Sequence, residues 1–132
     1  YQKMIRDCAA SNSVSDQVIY AGELVPGKTL NEYYGISSAL VFPSEREGFS
    51  LVILEALSTG LPVLVNARSN LQLPRGCDAC CLRYDSPESF TALVREQILS
   101  GERRAEISGI AKKAIRDGYS WDAVARKYIE AF

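Results

Sequence analysis

Apolar positions along this chain follow two rhythms: short unbroken runs and longer stretches at helical spacing. Val18-Ile19-Tyr20-Ala21-Gly22, Ala39-Leu40-Val41-Phe42, Leu61-Pro62-Val63-Leu64-Val65 and Ala79-Cys80-Cys81-Leu82 are short runs of the kind that form buried strands. Pro26-Gly27 marks a turn after the first run, and Pro43 closes the second. Residues 1–11 read as a helix with Met4, Ile5, Cys8 and Ala9 on one face, and residues 30–37 as a weaker one on Leu30, Tyr33 and Tyr34. A further helix is expected from Ser50, its N-cap, to Thr59, with Gly60 as its stop. Ser86-Pro87-Glu88 combines a cap, a first-turn proline and an early acid, and Phe90, Leu93, Val94 and Ile98 carry that helix on to Gly101. A basic-faced helix over 103–117 follows. The last helix starts at Ser120 and bears the stripe Trp121, Val124, Ala125, Tyr128, Ile129, Phe132. These last three helices read as structural.

Strands that alternate with helices predict an α/β, Rossmann-like domain, with a mainly parallel sheet and helices on both faces. Ligands of such sheets bind outside the carboxyl ends of the strands. The loop at 43–50 follows the strand at 39–42 and so belongs to that rim.

Composition changes this picture only by exclusion. A chain of 132 residues is one domain's worth, expected here as a single domain over 1–132. Its net charge of −1 leaves no excess positive charge for a nucleic-acid partner. No apolar run approaches the roughly 20 residues of a membrane span, and no signal peptide opens the chain. It starts Tyr1-Gln2-Lys3, which reads as the interior of something longer, cytoplasmic in location. Cys77 and Cys80 have the spacing of half a zinc site, but Cys8 is distant and the chain has no histidine, so no metal is expected. Reduced thiols, with Cys80 and Cys81 as small core residues, is the better reading. Without histidine, no Ser-His-Asp or Cys-His arrangement exists, and chemistry must rest on carboxylates, basic side chains or backbone amides.

The segment that invites chemistry is Glu47-Gly48-Phe49-Ser50-Leu51, with Glu55 beyond it as the only charge in Leu51-Val52-Ile53-Leu54-Glu55-Ala56-Leu57. A helix that begins at Ser50 presents the unpaired N–H groups of its first turn and the positive end of its dipole, a place for a phosphate or diphosphate. Gly48 lets backbone approach a ligand with no Cβ between. Glu47 and Glu55 are acceptors, suited to hydroxyl donors such as a sugar and a ribose diol. Spacing alone leaves an equal alternative, in which Glu47 is a solvated loop charge and Glu55 the exposed edge of a buried helix.

Pro43-Ser44, Glu47-Gly48-Phe49, Glu55-Ala56-Leu57 and Gly60-Leu61-Pro62-Val63 together resemble the signature of retaining GT-B glycosyltransferases of the sugar-nucleotide-dependent group 1 family. Val18–Gly22 resembles the strand and glycine before that signature, and Tyr119-Ser120-Trp121 the opening of the family's closing helix. The resemblance implies that this is a fragment of the C-terminal nucleotide-sugar-binding domain, with no cofactor and a UDP-, GDP- or ADP-sugar as donor. Glu47 would be the catalytic residue, in contact with donor-sugar hydroxyls at the reacting face. The amides of Gly48 and Phe49 would hold the sugar, those of Ser50 and Leu51 the diphosphate, Glu55 the ribose, and the loop after Gly22 would border the base. It also implies transfer with retention and without a metal.

Departures from the family pattern are equally specific. Family members carry an upstream Arg and Lys that neutralise the leaving diphosphate; the matching region precedes Tyr1, as does the amino-terminal domain that holds the acceptor. Asn66-Ala67-Arg68-Ser69-Asn70 stands where relatives often have a glycine-rich turn. About four strands are visible, without the pair that would link 18–21 to 39–42. The chain alone is therefore expected to bind donor weakly, to transfer nothing, and to expose a sheet edge open to self-association. The basic helix at 103–117 reads as a solvated face, with peripheral contact to anionic lipid at the inner membrane face as its alternative. A non-catalytic Rossmann-like nucleotide-binding or regulatory module is the alternative for the whole.

Overall fold

The computed structural model describes residues 1–25 and 27–131. The chain forms two compact units, Tyr1–Leu30 and Asn31–Phe132. In the first, helix α1 spans Gln2–Ser11 and a 3-10 turn spans Ser15–Gln17. The Arg6 guanidinium lies 4.6 Å from the Tyr20 ring centre, a cation–π contact. Of the face expected to be buried, only Ala9 is; Met4, Ile5 and Cys8 are exposed.

Helix α2, Lys28–Ile36, leads into the second unit. Strand β1 is Leu40–Phe42, helix α3 Leu51–Ser58, strand β2 Val63–Asn66 and strand β3 Cys81–Tyr84. Helix α4, Pro87–Leu93, runs into a π-turn at Val94–Ile98, and α5, Gly101–Tyr119, and α6, Trp121–Ala131, follow. The sheet is entirely parallel in the order β1-β2-β3, with Leu40 opposite Val63 and Val63 opposite Cys81. The α/β class with a parallel sheet is thus as the sequence predicts.

The core is built where apolar runs have neighbours on both sides. Val63, Leu64 and Val65 on the central strand are fully buried, as are Ala56 and Leu57 of α3 and Ala111 of α5. A Schellman motif ends α3: Gly60 N–H donates to Leu57 O at 2.9 Å and Leu61 N–H to Ala56 O at 3.0 Å. Gly60 sits at φ +84°, and a Cβ there would collide with Ser108 Oγ and lie 2.6 Å from Lys112 Cε, both on α5. Glycine is required there by backbone and by space together.

Four expectations need correction. Val18–Gly22 is not a strand, and Ile19 is exposed. A strand exists only with a ladder partner, and these residues have none among the described residues. The sheet therefore has three strands rather than about four, and β1 has β2 on one side and no strand on the other among the described residues. The run at 79–82 yields a strand shifted two residues onward, because Asp78–Cys80 closes a 3-10 turn first. The closing stripe is not packed: Trp121, Tyr128 and Ile129 are exposed, and Ala123, outside the stripe, is the buried residue of α6. Phe132 and the Pro26 half of the expected turn lie outside the described residues; Gly27 is in a turn, at φ +139°.

Cys77, Cys80 and Cys81 are buried and unbridged, while Cys8 is exposed. Burial first, then neighbouring thiol and Asp78 charge, pushes Cys80 up to about 11 and Cys81 up to about 12. The fold thus favours thiol over thiolate, so the unfolded chain loses these protons at lower pH than the folded one. Stability from this source is whole below the ordinary thiol value of ~8.5 and declines as pH rises toward 12. Urea unfolding midpoints are expected to fall between pH 8 and pH 11, with a shallower fall in the Cys81→Ala chain than in the parent. Equal slopes in the two chains would contradict this.

Candidate functional site

The carboxyl rim of the sheet is built from two loops tied to each other. The loop that leaves β1 carries Glu45, Glu47, Gly48 and Phe49; Asn66 ends β2, and the loop that leaves it carries Ala67 to Gln72. Asn70 Oδ1 accepts from Glu47 N–H at 3.0 Å, Gln72 N–H donates to Gly48 O at 2.9 Å, and Asn70 N–H donates to Glu45 O at 3.4 Å. Asn66 Nδ2 donates to Glu45 Oε1 at 3.5 Å. Leu71, buried between these polar contacts, anchors the second loop. The stretch 66–70 is therefore the clamp that positions Glu47.

Held this way, the Glu47 carboxylate is half-exposed and has no side-chain partner among the described residues. Gly48 is exposed, and nothing lies within 4 Å of the place a Cβ would take. Phe49 stacks on Tyr119, with ring centres 6.4 Å apart and planes at 28°. Tyr119 is itself fixed, since its hydroxyl accepts from Arg75 N–H at 2.6 Å.

Ser50 is buried and starts α3 with extended backbone, as expected of an N-cap, but its hydroxyl makes no capping bond. The first-turn N–H groups of Leu51, Val52 and Ile53 have no intrahelical acceptor by geometry, and no cap side chain takes them. Leu51 and Val52 are exposed, so this turn faces open space. A helix start left uncapped beside an unpaired carboxylate is an arrangement that a diphosphate and a hydroxyl-bearing group complete together.

Glu55 lies farther along α3 and is half-buried. Its partner is Tyr34 on α2, whose hydroxyl donates to Glu55 Oε2 at 3.2 Å. Burial first, and then the facing Glu55 charge and this hydrogen bond, raise the Tyr34 phenol above its ordinary value. Tyr34 therefore stays a proton donor throughout the physiological range and holds one carboxylate oxygen, leaving acceptor capacity on the other.

The structure thus brings Glu47, Gly48, Phe49, Ser50, Leu51 and Glu55 together along one loop and one helix. Gly22 belongs to the other compact unit, where it has φ +74° in the left-handed region glycine adopts freely. Asn70, Tyr34 and Tyr119 were not legible as site residues from sequence. A signal existed for one of them: an acid in an apolar helix needs a buried donor, and Tyr34 was a candidate.

Comparison with known proteins places the chain in a family. The profile of the family "Glycosyl transferases group 1" matches residues 1–114. The chain belongs to that family. It is similar to an uncharacterized glycosyltransferase of Methanocaldococcus jannaschii, at 28% identity over 97% of this chain and 33% of that protein. A lipopolysaccharide 1,2-N-acetylglucosaminetransferase of Salmonella typhimurium is 26% identical over 98% of this chain and 34% of its own length. A D-inositol 3-phosphate glycosyltransferase of Thermobispora bispora is 27% identical over 98% of this chain and 30% of its own length. The chain spans about a third of the length of these relatives. Among the described residues, no helix is long and apolar enough to cross a membrane.

Proposed function

We propose that this chain forms the donor-binding part of a retaining glycosyltransferase, which moves a glycosyl group from a nucleoside diphosphate sugar to an acceptor hydroxyl. The observation that carries the reading is the uncapped start of α3, with an unpaired Glu47 before it and a tyrosine-held Glu55 within it. In this reading the diphosphate lies on the first-turn amides from Ser50 and Leu51 onward, where the helix dipole favours its charge. The sugar sits over Gly48 and Phe49, with its hydroxyls donating to Glu47. The ribose hydroxyls donate to the open side of the Glu55 carboxylate.

The reaction then follows from where charge develops. The bond between the anomeric carbon and the diphosphate oxygen breaks, and the diphosphate leaves with the electron pair. The acceptor oxygen bonds to the anomeric carbon, and its proton passes to the departing diphosphate oxygen. Two fixed features favour that transition state: amide dipoles aimed at the leaving oxygens, and the Glu47 carboxylate beside the sugar as positive charge grows on its ring. Neither needs to reorganise during the step.

Calorimetric titration of the chain with UDP, GDP and ADP, each with and without a sugar attached, tests the reading. One nucleotide is expected to bind in preference to the other two. Glu55→Ala is expected to weaken it by about 10–100-fold, the worth of a hydrogen bond to a charged group. Tyr34→Phe, which frees but keeps the carboxylate, is expected to cost only about 3–10-fold. No binding to any of the six ligands, or equal binding by parent and Glu55→Ala, would remove the proposal.

A further inference from the structure

Phe49 is the residue just before the N-cap of α3, a position whose side-chain packing fixes the angle at which the chain enters a helix. The ring that meets it is Tyr119, the last residue of α5, with centres 6.4 Å apart and planes at 28°. We propose that Tyr119 is a positioning residue of the donor site, acting through Phe49 to set where the uncapped first turn of α3 lies. This rests on the glycosyltransferase reading above and adds to it a residue that works without touching the nucleotide.

The first argument is that α3 lacks the device that ordinarily fixes a helix start. A cap side chain holds an amide of the first turn, and with it the bend of the backbone. Ser50 makes no such bond. A capping hydroxyl would also occupy an amide that a bound diphosphate needs. The backbone before it is tied only as far as Gly48: Glu47 N–H donates to Asn70 Oδ1 at 3.0 Å, and Gly48 O accepts from Gln72 N–H at 2.9 Å. Past Gly48, Ser50 is buried and Phe49 rests on Tyr119. The Phe49 ring is 46% exposed, and Tyr119 is its one aromatic neighbour among the described residues.

The second argument is that Tyr119 is itself held from several sides, as a positioning ring must be. Its hydroxyl accepts from Arg75 N–H at 2.6 Å. Lys127 Nζ lies 5.9 Å from its ring centre, a cation–π contact, and donates to Gly118 O at 2.9 Å. Ser120 fixes the junction between α5 and α6, since its hydroxyl donates to Arg116 O at 2.7 Å and accepts from Ala123 N–H at 3.2 Å. The segment that supplies Arg75 is anchored as well: Cys77 is fully buried, and its N–H donates to Pro74 O at 3.0 Å. Tyr119 thus ties the end of α5, the start of α6 and the Arg75 segment to a loop that has few ties of its own.

Calorimetric titration of the chain with UDP, GDP and ADP tests the proposal, in the parent and in a set of variants. Tyr119→Leu is expected to weaken the nucleotide that the parent prefers by about 3–10-fold, the worth of an aromatic pair. Phe49→Leu, a change at a half-exposed ring that keeps the backbone amide, is expected to cost the same factor. The double variant should lose no more than either single one, because the two rings act as a unit. Tyr119→Phe, which keeps the ring, should bind more like the parent than like Tyr119→Leu. Ile115→Val, a buried change on the same helix, should lower the urea midpoint and leave affinity unchanged.

Parent-like binding by Tyr119→Leu or Phe49→Leu, losses that multiply in the double variant, or an equal loss in Ile115→Val would overturn the proposal. Should Tyr119→Leu not fold, a loss in Phe49→Leu that Tyr119→Phe does not share supports it, and parent-like binding by Phe49→Leu or an equal loss in Tyr119→Phe overturns it. A parent that binds one nucleotide no better than these variants do retires the positioning role and leaves the donor reading standing. A parent that binds none of the three retires the donor reading, and the positioning role with it.

Discussion

Glu47→Ala, made in the complete protein, is expected to lower kcat by about 10²–10³-fold, the range found when one preorganised polar group is removed from a developing charge. KM for the donor should change far less, because the proposed diphosphate and ribose contacts do not involve the Glu47 side chain. The fold should be indifferent. The carboxylate has no side-chain partner to lose, and the loop is held through the Glu47 backbone N–H, which alanine keeps, on Asn70 Oδ1 at 3.0 Å. Steady-state kinetics of the purified variant, alongside its urea midpoint, separate the two effects. A large loss of turnover at unchanged stability is the expected pair. Equal kcat in variant and parent would take Glu47 out of the reaction.

Leu64→Ala is expected to have the largest effect on stability. Leu64 is wholly buried on the central strand, paired with Val41 on one side and Leu82 on the other. Removing such a side chain costs its transfer free energy and leaves a cavity that a strand bonded on both edges cannot close. The combined cost is about 2–5 kcal/mol. Total stabilities of small domains are about 5–15 kcal/mol, so the variant should unfold at much lower urea than the parent. Leu99→Ala offers the contrast: Leu99 is exposed, and the same deletion there should lie within about 0.5 kcal/mol of zero. A Leu64→Ala chain as stable as the Leu99→Ala chain would show that the core has been misplaced.

What was legible in sequence divides along a physical line. A central strand flanked by covered faces is apolar throughout, so Leu61–Val65 announced itself, and Val63–Val65 are indeed fully buried. Val18–Gly22 is just as apolar, yet a local run says nothing about whether a ladder partner exists, and among the described residues none does. The α6 stripe fails similarly: helical spacing identifies an apolar face without identifying what covers it. On β3 the strand extends onto exposed Arg83, which an edge strand tolerates and a search for apolar runs passes over. At the site, Glu55 was conspicuous because it is one charge in an apolar helix. Its donor is 21 residues away in sequence, and the Asn70 that holds Glu47 is 23 away, distances only the folded chain closes.

The central claim is that the uncapped first turn of α3, between Glu47 and Glu55, is where the donor's diphosphate and ribose lie. Hydrogen–deuterium exchange of the chain with and without its preferred nucleoside diphosphate reads that turn directly, because the amides of Leu51, Val52 and Ile53 have no intrahelical acceptor and, among the described residues, no capping side chain. The account predicts slowed exchange in segment 47–57 on nucleotide binding, with Trp121–Ala131 unchanged. Saturating nucleotide that leaves 47–57 as fast as in the free chain would contradict it.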